Sequence, residues 1–204
     1  MPAELLDHLV LATADLADTV ERFAAATGVE PVEGGRHERW GTRNFLVGLG
    51  GTTYLELLGP DLDANREPVF DFGSVGAGRL ITWAIHPADI EGVLATARAA
   101  GTDLGRIEPL SRETPSGELL SWRVSVAPDY LYDGLVPFLI DWGTTPHPTA
   151  TLPTVELVSL QASHPDADGL RAALRVLSTS LELRTGPAAL TASFRGPRGE
   201  YAVS

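Results

Sequence analysis

The chain has 204 residues, 44% hydrophobic and 21% charged, the proportions of a globular protein rather than a disordered one. Against 15 Lys and Arg stand 27 Asp and Glu, a formal net charge of -12; with no basic patch, this argues against nucleic acid or an anionic membrane as partner. The lack of cysteine excludes disulfides, thiolate zinc sites, cysteine nucleophiles and iron–sulfur clusters, so a metal would have to be held by His, Asp or Glu. Met1 to Asp7 carry Glu4 and Asp7 and no Lys or Arg, which does not read as a secretion signal. No run approaches the roughly 20 apolar residues that cross a bilayer. The expected location is the cytoplasm.

Taken in chain order, Leu5 to Ala12 alternate between two apolar faces and predict a buried strand. Thr13 and Asp15 offer capping oxygens, Leu16, Val20, Phe23 and Ala24 recur at helical spacing, and Gly28 supplies a stop. Three strand-like runs follow, Val29 to Val32, Asn44 to Leu49 and Thr52 to Leu58, the last two parted by Gly50 and Gly51 as in a hairpin.

Residues 79 to 143 repeat that order. Arg79 to Ile85 predicts a strand, and Pro87 stands where the first turn of a helix accepts it. Ile90, Val93, Leu94 and Ala97 form an apolar stripe that Gly101 ends; strands follow around Gly105 to Leu110, Leu119 to Val126 and Val136 to Trp142. Thr13-Ala14-Asp15-Leu16 aligns with Pro87-Ala88-Asp89-Ile90, and Leu55 to Gly59 with Leu139 to Gly143.

A shorter copy begins near Val155. His164-Pro165 echoes His86-Pro87, Leu170, Ala173, Leu174 and Leu177 give a helical face, and strands around Leu181 to Arg184 and Leu190 to Val203 complete it. The chain thus divides into a βαβββ module over 1–60, a second over 79–143, and a partial βαββ copy over 155–204. Mixed sheets with helices on one side make the class α+β.

His8 and Glu56 each lie mid-strand among apolar neighbours: Leu6, His8 and Val10 share one face, and Tyr54, Glu56 and Leu58 another. A carboxylate in such a strand must be neutralised, hydrogen-bonded or metal-bound. An imidazole and a carboxylate in one cavity suit Zn, Mn, Ni or Fe; alternatively Glu56 pairs with Arg43, and His8 is a core histidine. Residues Gly34 to Asn44 gather charged, imidazole, indole and amide groups in what reads as a turn. His37, Thr42 and Asn44 can donate to a polar ligand, Arg43 can fork onto a carboxylate, and Trp40 can wall it. The plainer reading is a solvated hairpin.

Leu6-Asp7-His8-Leu9-Val10, Gly35-Arg36-His37, Gly41-Thr42-Arg43-Asn44 and Tyr54-Leu55-Glu56-Leu57 resemble the glyoxalase-like branch of the vicinal oxygen chelate superfamily. Val136 to Trp142 is similar to the end of that branch's second module. The resemblance spans residues 4 to 143. It implies paired βαβββ modules curled around a cavity, a divalent metal held by residues of the first and fourth strands of each module, and pairing of modules that makes a homodimer an expectation. His8 and Glu56 match the first module's ligand pair.

The second module departs from the pattern. The helix-entry alignment sets Thr82 against His8. Ile140 falls against Glu56 by the glycine alignment, or Asp141 after a one-residue slip that would turn the side chain to the other face. Two readings stay open. One is a metal-dependent lyase, isomerase or oxygenase acting on a small oxygenated metabolite, with metal ligands His8, Glu56 and either Asp141 or His86, and Glu56 as the general base. The other is a metal-free binding protein in which His8, Asn44 and Glu56 hydrogen-bond a small organic ligand and Trp83, Trp122 or Trp142 gives apolar contact. His164-Pro165 repeats the His86-Pro87 junction, which favours a structural role for His86; His147, between prolines, reads as a surface residue.

Overall fold

Three aspartates open the α-helices of the computed structural model, which describes residues 5–204; Met1 to Glu4, the first residues of the N-terminal module, lie outside the described residues. The side chain of Asp15 accepts from the Asp18 amide at the start of α1 (Leu16–Thr27), Asp89 from Gly92 at α2 (Ile90–Ala99), and Asp166 from Gly169 at α3 (Ala167–Val176). Each satisfies an amide that a helix start leaves without an intrahelical acceptor. Gly28 closes α1 with φ 76°, a conformation that costs glycine little. Thr13 does not cap the helix; its hydroxyl bonds that of Thr19 at 2.8 Å. Pro87 precedes the cap Asp89 by two residues instead of occupying the first turn.

The first module runs β1 (Leu6–Ala12), α1, β2 (Val32–His37), β3 (Thr42–Gly50) and β4 (Thr53–Pro60). The second runs β5 (Arg79–Ile85), α2, β6 (Arg106–Glu113), β7 (Leu119–Val126) and β8 (Phe138–Asp141). These eight strands close one barrel in the order β1-β4-β3-β2-β6-β7-β8-β5. In each half the first strand lies parallel to the last, and the halves join through the antiparallel pairs β1–β5 and β2–β6. The class is α+β, as expected, and the strands that enclose the barrel all come from one chain.

Parallel strands buried on both faces read as unbroken apolar runs, and β1 and β4 show why. Leu9, Leu11, Leu55 and Leu57 point outward into the main core with Phe23 of α1 and Trp83 of β5. Val10 and Leu58 turn to the inner side. Trp83 is therefore a core residue, its indole donating to the Leu135 carbonyl at 2.8 Å. The expected turn over Gly34 to Asn44 is mostly strand: β2 begins later than the reading placed it and continues through His37, leaving only Glu38 to Gly41 as the turn. Its two glycines hid it, since glycine weakens a strand signal while permitting close backbone approach.

The C-terminal extension forms β9 (Glu156–His164), α3, β10 (Glu182–Thr185), β11 (Ala189–Arg195) and β12 (Glu200–Val203). The span Leu190 to Val203 is the hairpin β11–β12, turned at Gly196 to Gly199, so the extension has four strands where βαββ counts three, in the sheet order β10-β9-β11-β12. The helix returns the chain to a parallel strand directly beside β9, so the pairing differs from that of the two modules. Leu170, Leu174, Leu190 and Phe194 join the main core, and the Phe194 ring lies 6.1 Å from that of Phe23. No helix among the described residues is long and apolar enough to cross a membrane.

Candidate functional site

Inside the barrel lies a cavity of about 410 Å³, a size suited to a small organic molecule. Its buried or part-buried polar groups include His8, Asn44, Glu56 and Arg112, set among Leu110, Trp122, Val124, Phe138, Ile140 and Trp142.

A bulge in β1 organises the first end of the site. Leu6 pairs with Ile85 and His8 with the adjacent Ala84, so Asp7 is an extra residue without a ladder partner. Strict alternation would put Asp7 and His8 on opposite faces; the bulge instead lets Asp7 Oδ1 meet His8 Nδ1 at 2.6 Å. The other oxygen, Oδ2, accepts from Trp142 Nε1 at 3.0 Å and from His147 Nε2 at 3.2 Å. His147 Nδ1 accepts from the Thr149 amide at 3.4 Å, which fixes the tautomer that donates to Asp7. Burial would raise the Asp7 pKa, but the hydrogen bonds from His147 and His8 outweigh it and hold the carboxyl well below the usual carboxylate range. An ionised Asp7 can only accept, so His8 carries a proton on Nδ1 and turns Nε2 toward Glu56 Oε2, 3.9 Å away. The His8 ring is held by Tyr54, stacked with centroids 4.6 Å apart, and by the edge-on Phe138 at 5.4 Å.

From Glu56 a second chain runs across the barrel. Asn44 Nδ2 donates to Glu56 Oε1 at 2.6 Å, and Arg112 Nη1 donates to Asn44 Oδ1 at 3.1 Å. The amide orientation follows, since its two ends meet an acceptor and a donor. Arg112 is 5% exposed, and burial pushes its pKa down from the arginine value. His37 lines the same cavity, with Nδ1 3.1 Å from Thr42 Oγ1; burial pushes its pKa down, favouring the neutral ring. Trp122 and Trp142 pack together with centroids 5.2 Å apart.

Of the residues singled out from sequence, His8, His37, Trp40, Thr42, Asn44, Glu56, Trp122 and Trp142 therefore meet around one cavity. Arg43 does not: its guanidinium pairs with Glu33 outside, and Glu56 finds Asn44 instead. Asp141 also stands outside, held by Arg123, which also reaches Glu91 at the start of α2. The register is that of the glycine alignment, with Ile140 facing the cavity and Asp141 the opposite side. The Arg123 guanidinium lowers the Asp141 pKa. His86 is not among the lining residues; its Nδ1 is 3.7 Å from Asp7 Oδ2, beyond a hydrogen bond. His147, read as a surface residue, is part-buried and binds Asp7. Asp7 and Arg112 were missed altogether.

Gly34 on β2 leaves the room that Arg112 occupies. A Cβ there would collide with Arg112 Nη1 and Asn44 Oδ1. Gly34→Ala is expected to cost about 1–3 kcal/mol, the usual penalty of overpacking, read as a lowered denaturation midpoint. It also displaces Arg112 from Asn44.

Two βαβββ halves closed around an internal site define the architecture of the vicinal oxygen chelate superfamily. The glyoxalase-like domain model matches residues 6–178, and the chain belongs to that family. Among solved structures it is similar to a hypothetical protein from Staphylococcus aureus, at 15% identity and TM-score 0.61, covering 98% of this chain and 85% of that one. A hypothetical protein from Bacillus halodurans matches at 15% identity and TM-score 0.50, covering 72% and 99%. At that identity these likenesses bear on the fold. Methylmalonyl-CoA epimerase from Streptomyces coelicolor, in a complex with 2-nitronate-propionyl-CoA, matches at 26% identity and TM-score 0.46, covering 70% and 97%. No curated protein matches.

Members of the superfamily often use a divalent metal. The donor set here does not fit one. β5 has a register shift of its own, Val10 pairing with Thr82 and the next residue, Leu11, with Leu80, and β5 and β8 line the cavity with Ile81, Thr82, Phe138 and Ile140 where imidazoles or carboxylates would be needed. Among the described residues no three His, Asp or Glu side chains converge as a metal site. Glu56 has one oxygen engaged by Asn44.

Proposed function

We propose that this glyoxalase-like protein binds a small carbonyl compound inside its barrel and moves a proton at the carbon beside that carbonyl, an isomerase or lyase step. The reading rests above all on the series of buried Asp7 and His8 with part-buried Glu56, which turns an oriented imidazole nitrogen and a carboxylate toward one largely apolar cavity. Glu56 takes the proton from carbon, leaving an enolate. His8 stands beside it to exchange that proton, which returns to the same or a neighbouring carbon, or is balanced by loss of a leaving group at the adjacent position. Asn44 fixes Glu56, and the largely apolar walls strengthen electrostatic interactions within the cavity. This chemistry draws on the residues present.

The test is deuterium wash-in. A panel of small 2-oxo acids and hydroxyketones in D₂O is followed by proton NMR, with quenching of Trp122 and Trp142 reporting occupancy. Exchange of the protons next to the carbonyl that depends on Glu56 supports the proposal. Binding without exchange across the panel contradicts it and leaves a binding protein on the same scaffold.

A further inference from the structure

Arg112 is a buried cation without a carboxylate partner. Of the guanidinium's donors, one reaches a protein acceptor, and that acceptor is the neutral amide of Asn44. Nε is buried with no partner. No ion pair within 4.0 Å involves Arg112 among the described residues. An arginine left this way is expensive, because the desolvation of its charge is offset only at a distance, by Glu56 beyond Asn44. Yet the fold makes room for it, through the missing side chain at Gly34, and seats it in the cavity wall.

We infer that Arg112 anchors a carboxylate of the ligand, so that the ligand is a small organic monoacid with an apolar or aromatic body. The planar fork of a guanidinium matches a carboxylate. The fork takes one carboxylate, and a phosphate dianion would bring twice that negative charge close to Glu56. Leu110 shares the β6 face of Arg112, two residues away, and Trp122, Val124 and Ile140 follow on β7 and β8, offering the body of the acid an apolar bed. The inference deepens the proton-transfer reading and rests on it only for orientation. With Asn44 bridging Arg112 to Glu56, an acid held at Arg112 presents a carbon near its carboxylate to Glu56, as a 2-oxo acid would. The chain's net charge of -12 repels such an anion at long range, so recognition must come from this local pairing.

The experiment compares phenylpyruvate with its methyl ester, binding being read from tryptophan fluorescence in the wild-type protein, Arg112→Met, Arg112→Lys and Glu56→Gln. The wild type is expected to bind the acid about 30-fold more tightly than the ester, the scale of hydrogen bonds to a charged group. Arg112→Met brings the two to parity, Arg112→Lys retains part of the preference, and Glu56→Gln keeps it while losing proton exchange. Equal affinity for acid and ester in the wild type overturns the inference whether or not any variant folds, as does a preference that survives in a folded Arg112→Met. Preference for the acid with no proton exchange anywhere overturns the catalytic reading and leaves the anchor standing.

Discussion

Asp7→Ala is expected to destabilise the protein by about 3–5 kcal/mol, the cost of removing one member of a buried charged network. Asp7 is 1% exposed and receives His8, Trp142 and His147 on its two oxygens. Its loss leaves buried donors from three parts of the chain without an acceptor. These donors come from β1, from the residue after β8 and from the loop leading to the extension, so the mutation also loosens the closure of the barrel. The effect depends on acidity in a definite direction. Because the folded-state pKa lies below the unfolded value of 3.8, the stabilisation is fully present above about pH 4 and is lost as the pH falls through the folded value. Urea titrations of wild type and variant should differ most near neutrality and converge in strong acid. A difference below about 1 kcal/mol at neutral pH would mean that Asp7 does not tie these three donors together.

Glu56→Gln is expected to lower proton exchange at the ligand by about 10²–10⁴-fold, the usual contribution of a positioned general base. The substitution keeps shape, and the Gln carbonyl still accepts from Asn44, so denaturant stability should stay within about 1 kcal/mol of wild type. That separation of rate from stability is what a structural role for Glu56 would not produce. A variant that folds normally and exchanges at the wild-type rate removes Glu56 from the chemistry.

The repeat was legible because helix caps and apolar stripes recur at matching positions in the two modules, and local signals of that kind survive into the fold. The extension also shows its limit. It carries the same strand-then-helix opening, yet β9 and β10 pair directly, a choice made by tertiary packing. Within the site, His8 and Glu56 stood out because charged groups among apolar strand neighbours demand a partner. Asp7 was hidden by the alternation rule itself: a bulge breaks the period of two and brings consecutive side chains together. Arg112 was hidden because the predicted strand, Gly105 to Leu110, stops short of it, whereas β6 runs on to Glu113 among charged neighbours. The available signal was its phase with Leu110, an apolar residue on the same face. Asp141 shows the converse. A carboxylate near the right place was drawn off by Arg123 on the neighbouring strand, and the register put apolar Ile140 inside.

The most direct test of the proton-handling pair is the ¹⁵N NMR signature of the His8 ring. The expected result is a His8 proton on Nδ1, bonded to Asp7, and a strong shift of Nε2 alone when phenylpyruvate fills the cavity. A ring protonated on Nε2 with Nδ1 bare, or an Nε2 signal unmoved while tryptophan quenching reports occupancy, would contradict it.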